Sequence, residues 1–244
     1  MRRIRVASHV HSEWSYDGRW TLEQISEAFA RRGYDAVLLA EHDRGFDAAR
    51  WAEYRAACAA VNAGARLVPG IEYSDPTNSV HVPVWGDIPF LGESLDTAEL
   101  LPAARAAGGV AVLAHPGRRE VGRTLDPALL HHFTGIEIWN RKYDGYAPNR
   151  MAGELVRTRP GVIPMVSLDF HTARQFHPLA MLVEVAGEPS EAEICAALAA
   201  RRAQPAAFGL PAAPLTRPPA WHAMRGVELA RKRVAACVKP LLSR

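Results

Sequence analysis

Ten histidines occur in the 244 residues, and six of them sit where chemistry could use them. His9, His11, His42, His81 and His115 fall at or near the C-terminal ends of short apolar runs, and His171 just follows another. Carboxylates share the pattern: Glu72 ends a run, Glu137 lies in one, and Asp169 stands two residues before His171. Mixed imidazole and carboxylate donors suit Zn²⁺, Mn²⁺ or Fe²⁺ rather than Ca²⁺ or a thiolate-seeking metal. Six imidazoles and three carboxylates exceed the need of one tetrahedral ion, so two or three ions are implied, with a carboxylate shared between them. His9 and His11 are two apart on an expected strand, which turns both rings to one face, and Asp169 and His171 repeat the spacing.

The elements that must position these groups alternate along the chain. Strands are expected at 4–11, 36–42, 66–73, 79–85, 109–115, 135–140, 162–170 and 179–186. Helices are expected at 21–32, 47–63, 96–107, 126–132, 147–158 and 190–202, the first opened by a Thr21/Gln24 capping box and closed by Gly33. Strands rich in Val, Ile and Leu, alternating with helices, predict a parallel sheet covered on both faces. With about seven such repeats, a closed or nearly closed β/α barrel outranks an open doubly wound sheet. No Gly-x-Gly-x-x-Gly follows the first strand, which weakens a dinucleotide-binding alternative. In a barrel the strand C-termini converge on one rim, so residues far apart in sequence meet in one pocket.

Composition narrows the setting. At 48% hydrophobic and 23% charged residues, the chain reads as globular, with one large domain or two small ones. Three well-separated cysteines (Cys58, Cys195, Cys237) argue against a disulfide scaffold and against a cysteine-based zinc site. No apolar run approaches a membrane span, and the basic start is cut short by Ser8, His9 and His11, so a cytoplasmic location is expected. The net charge of +3 is an average of unlike parts: residues 201–244 carry nine Lys/Arg against Glu228 alone, or +8, leaving −5 for residues 1–200. An acidic body does not favour nucleic acid as the partner. Five prolines between 205 and 219 predict an extended, irregular stretch, followed by a basic helix at about 221–238 with Met224, Val227, Ala230, Val234 and Val238 on its apolar side. The expected division is therefore a barrel over 1–202 and, over 203–244, a linker and helix packed on the barrel or extending from it.

Five segments, in order, resemble the motifs of the polymerase-and-histidinol-phosphatase (PHP) superfamily. They are His9-Val-His11-Ser-Glu-Trp-Ser-Tyr-Asp17-Gly18, Glu41-His42-Asp43, Gly70-Ile71-Glu72, Ala114-His115-Pro116 and Ser167-Leu168-Asp169-Phe170-His171. Glu41 stands where Asp is usual, and the glycine often found before Asp169 is missing. The resemblance spans about residues 4 to 187 and implies a distorted, TIM-like (β/α)7 barrel with a trinuclear metal site. It implies that His9, His11, Glu72 and Asp169 hold one ion, that Glu72 bridges to a second completed by His81 and His115, and that Asp17, His42 and His171 hold a third. It also implies hydrolysis of a phosphate ester.

A water shared by two such ions is acidic enough to attack phosphorus near neutral pH. The leaving oxygen then needs a proton, for which Asp43 or His177 is the candidate. Phosphate oxygens left over favour guanidinium, and among Arg44, Arg118, Arg119, Arg141 and Lys142, which follow rim strands, Arg118 and Arg141 are preferred. Glu137 reads equally as a partner of a ligating histidine or as an ordinary rim ion-pair residue. Trp139 and Asn140 read as pocket lining or as packing, and His131, His132 and His222 as residues without a metal role. The expected substrate is a small phosphomonoester. Rivals are a phosphodiesterase or exonuclease, supported only by the basic tail; hydrolysis at carbon, for which no strand-ending lysine is found; and a metal-binding regulatory module without turnover.

Overall fold

A computed structural model describes the backbone of residues 1–62 and 64–242 and the side chains up to residue 237. Ala63 at the end of one expected helix, the Val238 and Lys239 side chains, and Arg244 lie outside the described residues. The strands are β1 (Arg2–Val10), β2 (Ala36–Leu39), β3 (Glu41–His42), β4 (Arg66–Val68), β5 (Gly70–Ser74), β6 (His81–Trp85), β7 (Val110–Leu113), β8 (Gly135–Asn140), β9 (Ile163–Ser167), β10 (Leu179–Val185), β11 (Ala203–Ala207) and β12 (Leu210–Pro211). The helices are α1 (Leu22–Ala30), α2 (Ala48–Ala60), α3 (Thr97–Ala106), α4 (Val121–Thr124), α5 (Arg141–Asp144), α6 (Arg150–Arg157), α7 (Glu191–Ala199) and α8 (Ala220–Leu242). The expected helix at 126–132 is a 3₁₀ turn, Pro127–His132. Among the described residues no helix is long and apolar enough to cross a membrane.

The strands form two six-stranded mixed sheets, in the orders β12-β11-β10-β1-β2-β4 and β3-β5-β6-β7-β8-β9. The sheets meet along two seams. At one, β2 continues into β3 past Ala40, and β4 into β5 past Pro69, so each adjacent pair of strands passes from one sheet to the other. At the other, the segment after β9 bonds to the end of β1: Leu168 N to Ser8 O (3.0 Å), Phe170 N to His9 O (3.0 Å) and His11 N to Phe170 O (2.9 Å).

The all-parallel expectation fails at β6 and β10, which run antiparallel to β5 and β1. The connection from Ser74 to His81 is too short for a crossover, which takes a dozen or more residues, so β6 must return as a hairpin. His81 therefore opens its strand instead of ending it, and the reversal brings it to the rim where the other strands finish.

Strands β2, β7 and β8 are buried at every position, as sequences apolar on both faces require. Helix α1 starts at the Thr21/Gln24 capping box and lays Leu22, Ile25 and Phe29 into the core. Gly70 lets the Trp85 indole pass: a Cβ there would overlap the ring, whose Nε1 donates to Leu39 O.

The proline-rich stretch is more regular than expected. Residues 203–207 form β11, paired antiparallel with β10, and Pro205 is accommodated because β11 lies near the sheet edge beside the two-residue β12. Helix α8 is fastened mainly by polar groups. Trp221 Nε1 donates to Pro148 O (3.0 Å), and the fully buried Glu228 carboxylate accepts from Tyr146 N (3.1 Å) and from Arg231. Gly145 (φ 72°) makes room for that carboxylate, which a Cβ would meet at 2.5 Å. Of the expected apolar side, Met224 packs on the core, whereas Val227, Ala230 and Val234 are exposed.

Candidate metal centre

Glu72, on β5, stands at the centre of the rim. Its Oε1 lies 3.2 Å from His9 Nε2, 3.0 Å from His81 Nδ1 and 3.3 Å from His115 Nε2; its Oε2 lies 3.1 Å from His42 Nδ1 and 3.6 Å from His11 Nε2. Asp169 reaches the same space, 3.7 Å from His11 Nε2 and 3.9 Å from His115 Nε2. Asp17, from the loop after β1, lies 3.3 Å from His42 Nε2 and 3.0 Å from His171 Nε2. Three compact donor groups result: His11, Asp17, His42 and His171; His9, Glu72 and His115; His9, His11 and Asp169. All nine sequence-selected donors are thus brought together, although His81 reaches the cluster only through Glu72 and the His115 ring.

The donor set fits divalent ions. Ligands held at about 2.0–2.1 Å from a four-coordinate ion are themselves roughly 3.4 Å apart, close to the spacings found here. His9 Nε2 and His11 Nε2 are buried and have no hydrogen-bond partner among the described residues. His9 Nδ1 lies 2.8 Å from Glu137 Oε1; donation there leaves the Nε2 lone pair facing Glu72. His171 is set the same way, Nδ1 lying 3.0 Å from Asp169 O.

The buried donors shift one another's acidity. Burial disfavours a charged His9 and His42, but Glu72, Asp169 and Glu137 hold His9 well above the usual imidazole range, and Asp17 and Glu72 push His42 up to about 10. Burial, together with His42 and other neighbouring imidazoles, lowers His11. Against their own burial, Glu72, Asp169 and Asp17 are held below the ordinary carboxylate range, Glu72 by His9 and His81, Asp169 by His9 and Lys142, and Asp17 by His171 and His42.

Backbone irregularity aims several of these groups. His9 lies in the left-handed region (φ 62°) at a register shift between β1 and β2, so its ring meets His11 (5.1 Å between centroids) through a bulge, not through plain strand alternation. His115 (φ 27°) and Asp169 (φ 48°) are also left-handed. Around them Glu137 is buried, accepting His115 N (2.7 Å) and Asn140 Nδ2 (2.8 Å) besides its contact with His9, so of its two readings it is the partner of a histidine. Buried Glu41 accepts from Ser12 N, Ser12 Oγ and Ser15 Oγ, fastening the loop that carries Asp17.

The other selected residues divide. Arg118 is at the rim, donating to Asn78 O (2.8 Å) and lying 3.1 Å from His81 Nε2. Asp43 accepts from Ser74 N and Ser94 N and lines a cavity of about 170 Å³ with Tyr16, His42 and Arg44, burial raising its carboxyl. Arg141 is turned aside, its guanidinium over the Tyr146 ring at 4.4 Å. His177 is packed by Trp139, Tyr146 and Phe208, and burial, with Arg141 nearby, lowers it to about 4. Trp139 is packing, its Nε1 donating to Gly145 O.

Lys142, one of the rim cations not preferred from the sequence, donates from its Nζ to Asp169 Oδ1 (3.1 Å) and lies 3.3 Å from His171 Nε2. Its place directly after a rim strand is the signal that put it among the candidates, and only the structure ranks it above Arg141. Two exposed tyrosines had none: Tyr16 stacks on His42 (4.8 Å) and Tyr143 lies against His115 (4.4 Å).

No family model matches the sequence, and none of the curated proteins matches it. Solved structures share the fold at low identity. PsfC from Pseudomonas syringae is 16% identical with a TM-score of 0.62, over 85% of this chain and 93% of that one. A lesion-specific endonuclease from Pyrococcus furiosus is 13% identical with a TM-score of 0.58, over 82% of this chain and 56% of its own. A protein assigned as a metal-dependent phosphoesterase from Bifidobacterium adolescentis is 19% identical with a TM-score of 0.50, over 68% of this chain and 87% of that one. The α/β fold of this chain is thus similar to that of a protein assigned as a metal-dependent phosphoesterase and to that of a lesion-specific endonuclease.

Proposed function

We propose that the chain is a metal-dependent phosphoesterase of the PHP superfamily, built on a distorted (β/α)7 barrel and acting on a small phosphomonoester in the cytoplasm. The observation that carries this reading is the convergence of imidazole and carboxylate donors on Glu72, from segments whose order follows the family's motifs. The two seams between the sheets support the barrel, and the likeness to a metal-dependent phosphoesterase and an endonuclease supports the chemistry. Two or three divalent ions of the Zn²⁺, Mn²⁺ or Fe²⁺ type fit the donors. When bound, they supply a nucleophilic water near neutral pH and neutralise charge developing on the phosphate oxygens.

The chain's own residues do the rest. Glu137 fixes the His9 tautomer and carries the His115 backbone, so both rings keep their aim. Lys142 and Arg118 offer cationic donors at the cluster's edge to phosphate oxygens, Lys142 replacing Arg141 in that role. Asp43, bordering the cavity beside His42, would protonate the leaving oxygen, whereas His177, packed against Trp139, would not.

A phosphodiester substrate is the second reading. It is favoured by the exposed Tyr16 and Tyr143 on the cluster's histidines, with Arg44 over Tyr16, an arrangement that can stack bases of a single strand. Assay of the purified protein with Mn²⁺ or Zn²⁺ on a phosphomonoester, a phosphodiester and short single-stranded DNA separates the readings. Monoester hydrolysis is expected, together with loss of turnover in a folded Asp169→Ala variant. Turnover of the diester or DNA alone would favour the second reading, activity retained in Asp169→Ala would contradict the metal assignment, and no turnover at all would favour a regulatory module.

A further inference from the structure

Glu41 opens β3 fully buried, and four donor groups end on its carboxylate. Oε1 accepts Ser12 N (3.0 Å), Ser12 Oγ (2.6 Å) and Tyr54 Oη (3.3 Å), and Oε2 accepts Ser15 Oγ (2.6 Å). Ser12 Oγ itself accepts Trp14 N (3.2 Å), which leaves its own proton for Glu41.

The Ser15 hydroxyl, also buried, stands among three groups: Glu41 Oε2 at 2.6 Å, His42 N at 3.0 Å and His11 Nδ1 at 3.2 Å. A hydroxyl has one proton and two lone pairs. The carboxylate takes the proton and the His42 N–H takes one lone pair. His11 Nδ1, at the remaining lone pair, must therefore be a donor. The His11 proton then sits on Nδ1, and the Nε2 lone pair faces Glu72 Oε2 (3.6 Å) and Asp169 Oδ1 (3.7 Å). His9 is set by Glu137 directly and His171 by the Asp169 carbonyl; for His11 the carboxylate acts at one remove.

We propose that Ser15 is a positioning residue whose hydroxyl couples Glu41 to His11 and fixes the tautomer that offers Nε2 to a divalent ion. The same hydroxyl ties down the backbone of His42, a donor of another group of the cluster. The relay presupposes the metal reading of the cluster, but its test locates a proton and needs no turnover.

Two-bond ¹H–¹⁵N spectra of the full chain carrying ¹⁵N-histidine, free of metal and loaded with Zn²⁺, locate that proton, with His11→Asn assigning the signal. Wild type should hold it on Nδ1 in both states. In Glu41→Gln, Ser12 N–H keeps the amide oxygen on its own side, so the amide N–H₂ meets Ser15 Oγ. Ser15 must then donate to His11 Nδ1, and in the metal-free variant the imidazole proton should move to Nε2. Zn²⁺ affinity, read by competition with a chelator, should fall about 10- to 100-fold in Glu41→Gln and Ser15→Ala and stay within about threefold in Ser15→Thr, which keeps the hydroxyl. The relay is overturned by a wild-type proton on Nε2, which needs no variant to fold. It is equally overturned by a folded Glu41→Gln whose His11 tautomer or Zn²⁺ affinity is unchanged. A wild type that holds the proton on Nδ1 yet binds no Zn²⁺ would overturn the metal reading and bear out the tautomer, so the two fall separately.

Discussion

His9, His115 and Asp169 stand on left-handed backbone, a conformation costing of order 1–3 kcal/mol per non-glycine residue, and all three are donors of the cluster. Strain held at several side chains of one site is what aiming donors at a common point requires. The identity and order of those donors were legible in the sequence, because imidazoles and carboxylates ending apolar runs have few other uses together. Their orientation was not legible. His9 and His11 meet through a bulge, and Glu137 chose between its two readings only when His9 and His115 were placed around it. The same residue gives a test. In Glu137→Gln the amide must turn an N–H toward His9 Nδ1, His115 N or Asn140, so metal affinity should fall about 10- to 100-fold with little change in unfolding temperature. Competition with a fluorescent chelator measures it, and an unchanged affinity would show that Glu137 does not hold the histidines in place.

Elements with local signals were legible and those set by tertiary context were not. The Thr21/Gln24 box marked α1, but the hairpin that reverses β6 lay hidden in the short gap between two expected strands. Prolines hid β11 in the same way, since only its neighbour β10 shows that it is a strand. Helix α8 looked amphipathic, yet its firmest attachment is Glu228. Burial opposes that carboxylate's charge, but Arg231, Tyr146 N and Lys232 outweigh it and hold it down to about 2. An acid lowered on folding stabilises the fold above its unfolded pKa, about 4.5, and loses that contribution as pH falls toward 2. Wild type should therefore exceed Glu228→Gln in stability at neutral pH, with the gap closing between about pH 5 and 2. Denaturant unfolding at several pH values reads this directly; a gap that widens in acid would contradict it.

At the scale of the molecule, the acidic body and the basic tail are joined less by charge than by a few contacts near the start of α8. Residues 232–237 are exposed, so a chain ended after Lys232 should unfold within about 2 °C of the full chain. Ending it before Ala220 removes the Trp221 and Glu228 attachments and should lower the midpoint by about 5 °C or more. Thermal unfolding of both truncations tests this, and equal midpoints would mean that α8 adds nothing to the fold. The motif order announced one rim built from most of the chain, whereas a cavity between α6 and α8 depends on how those helices meet, which no local pattern encodes. The rim itself stands or falls on its ions. Metal content of the purified, dialysed protein should be about two to three divalent ions per chain, falling in Asp169→Ala; one ion or none in wild type would contradict the shared-carboxylate centre around Glu72.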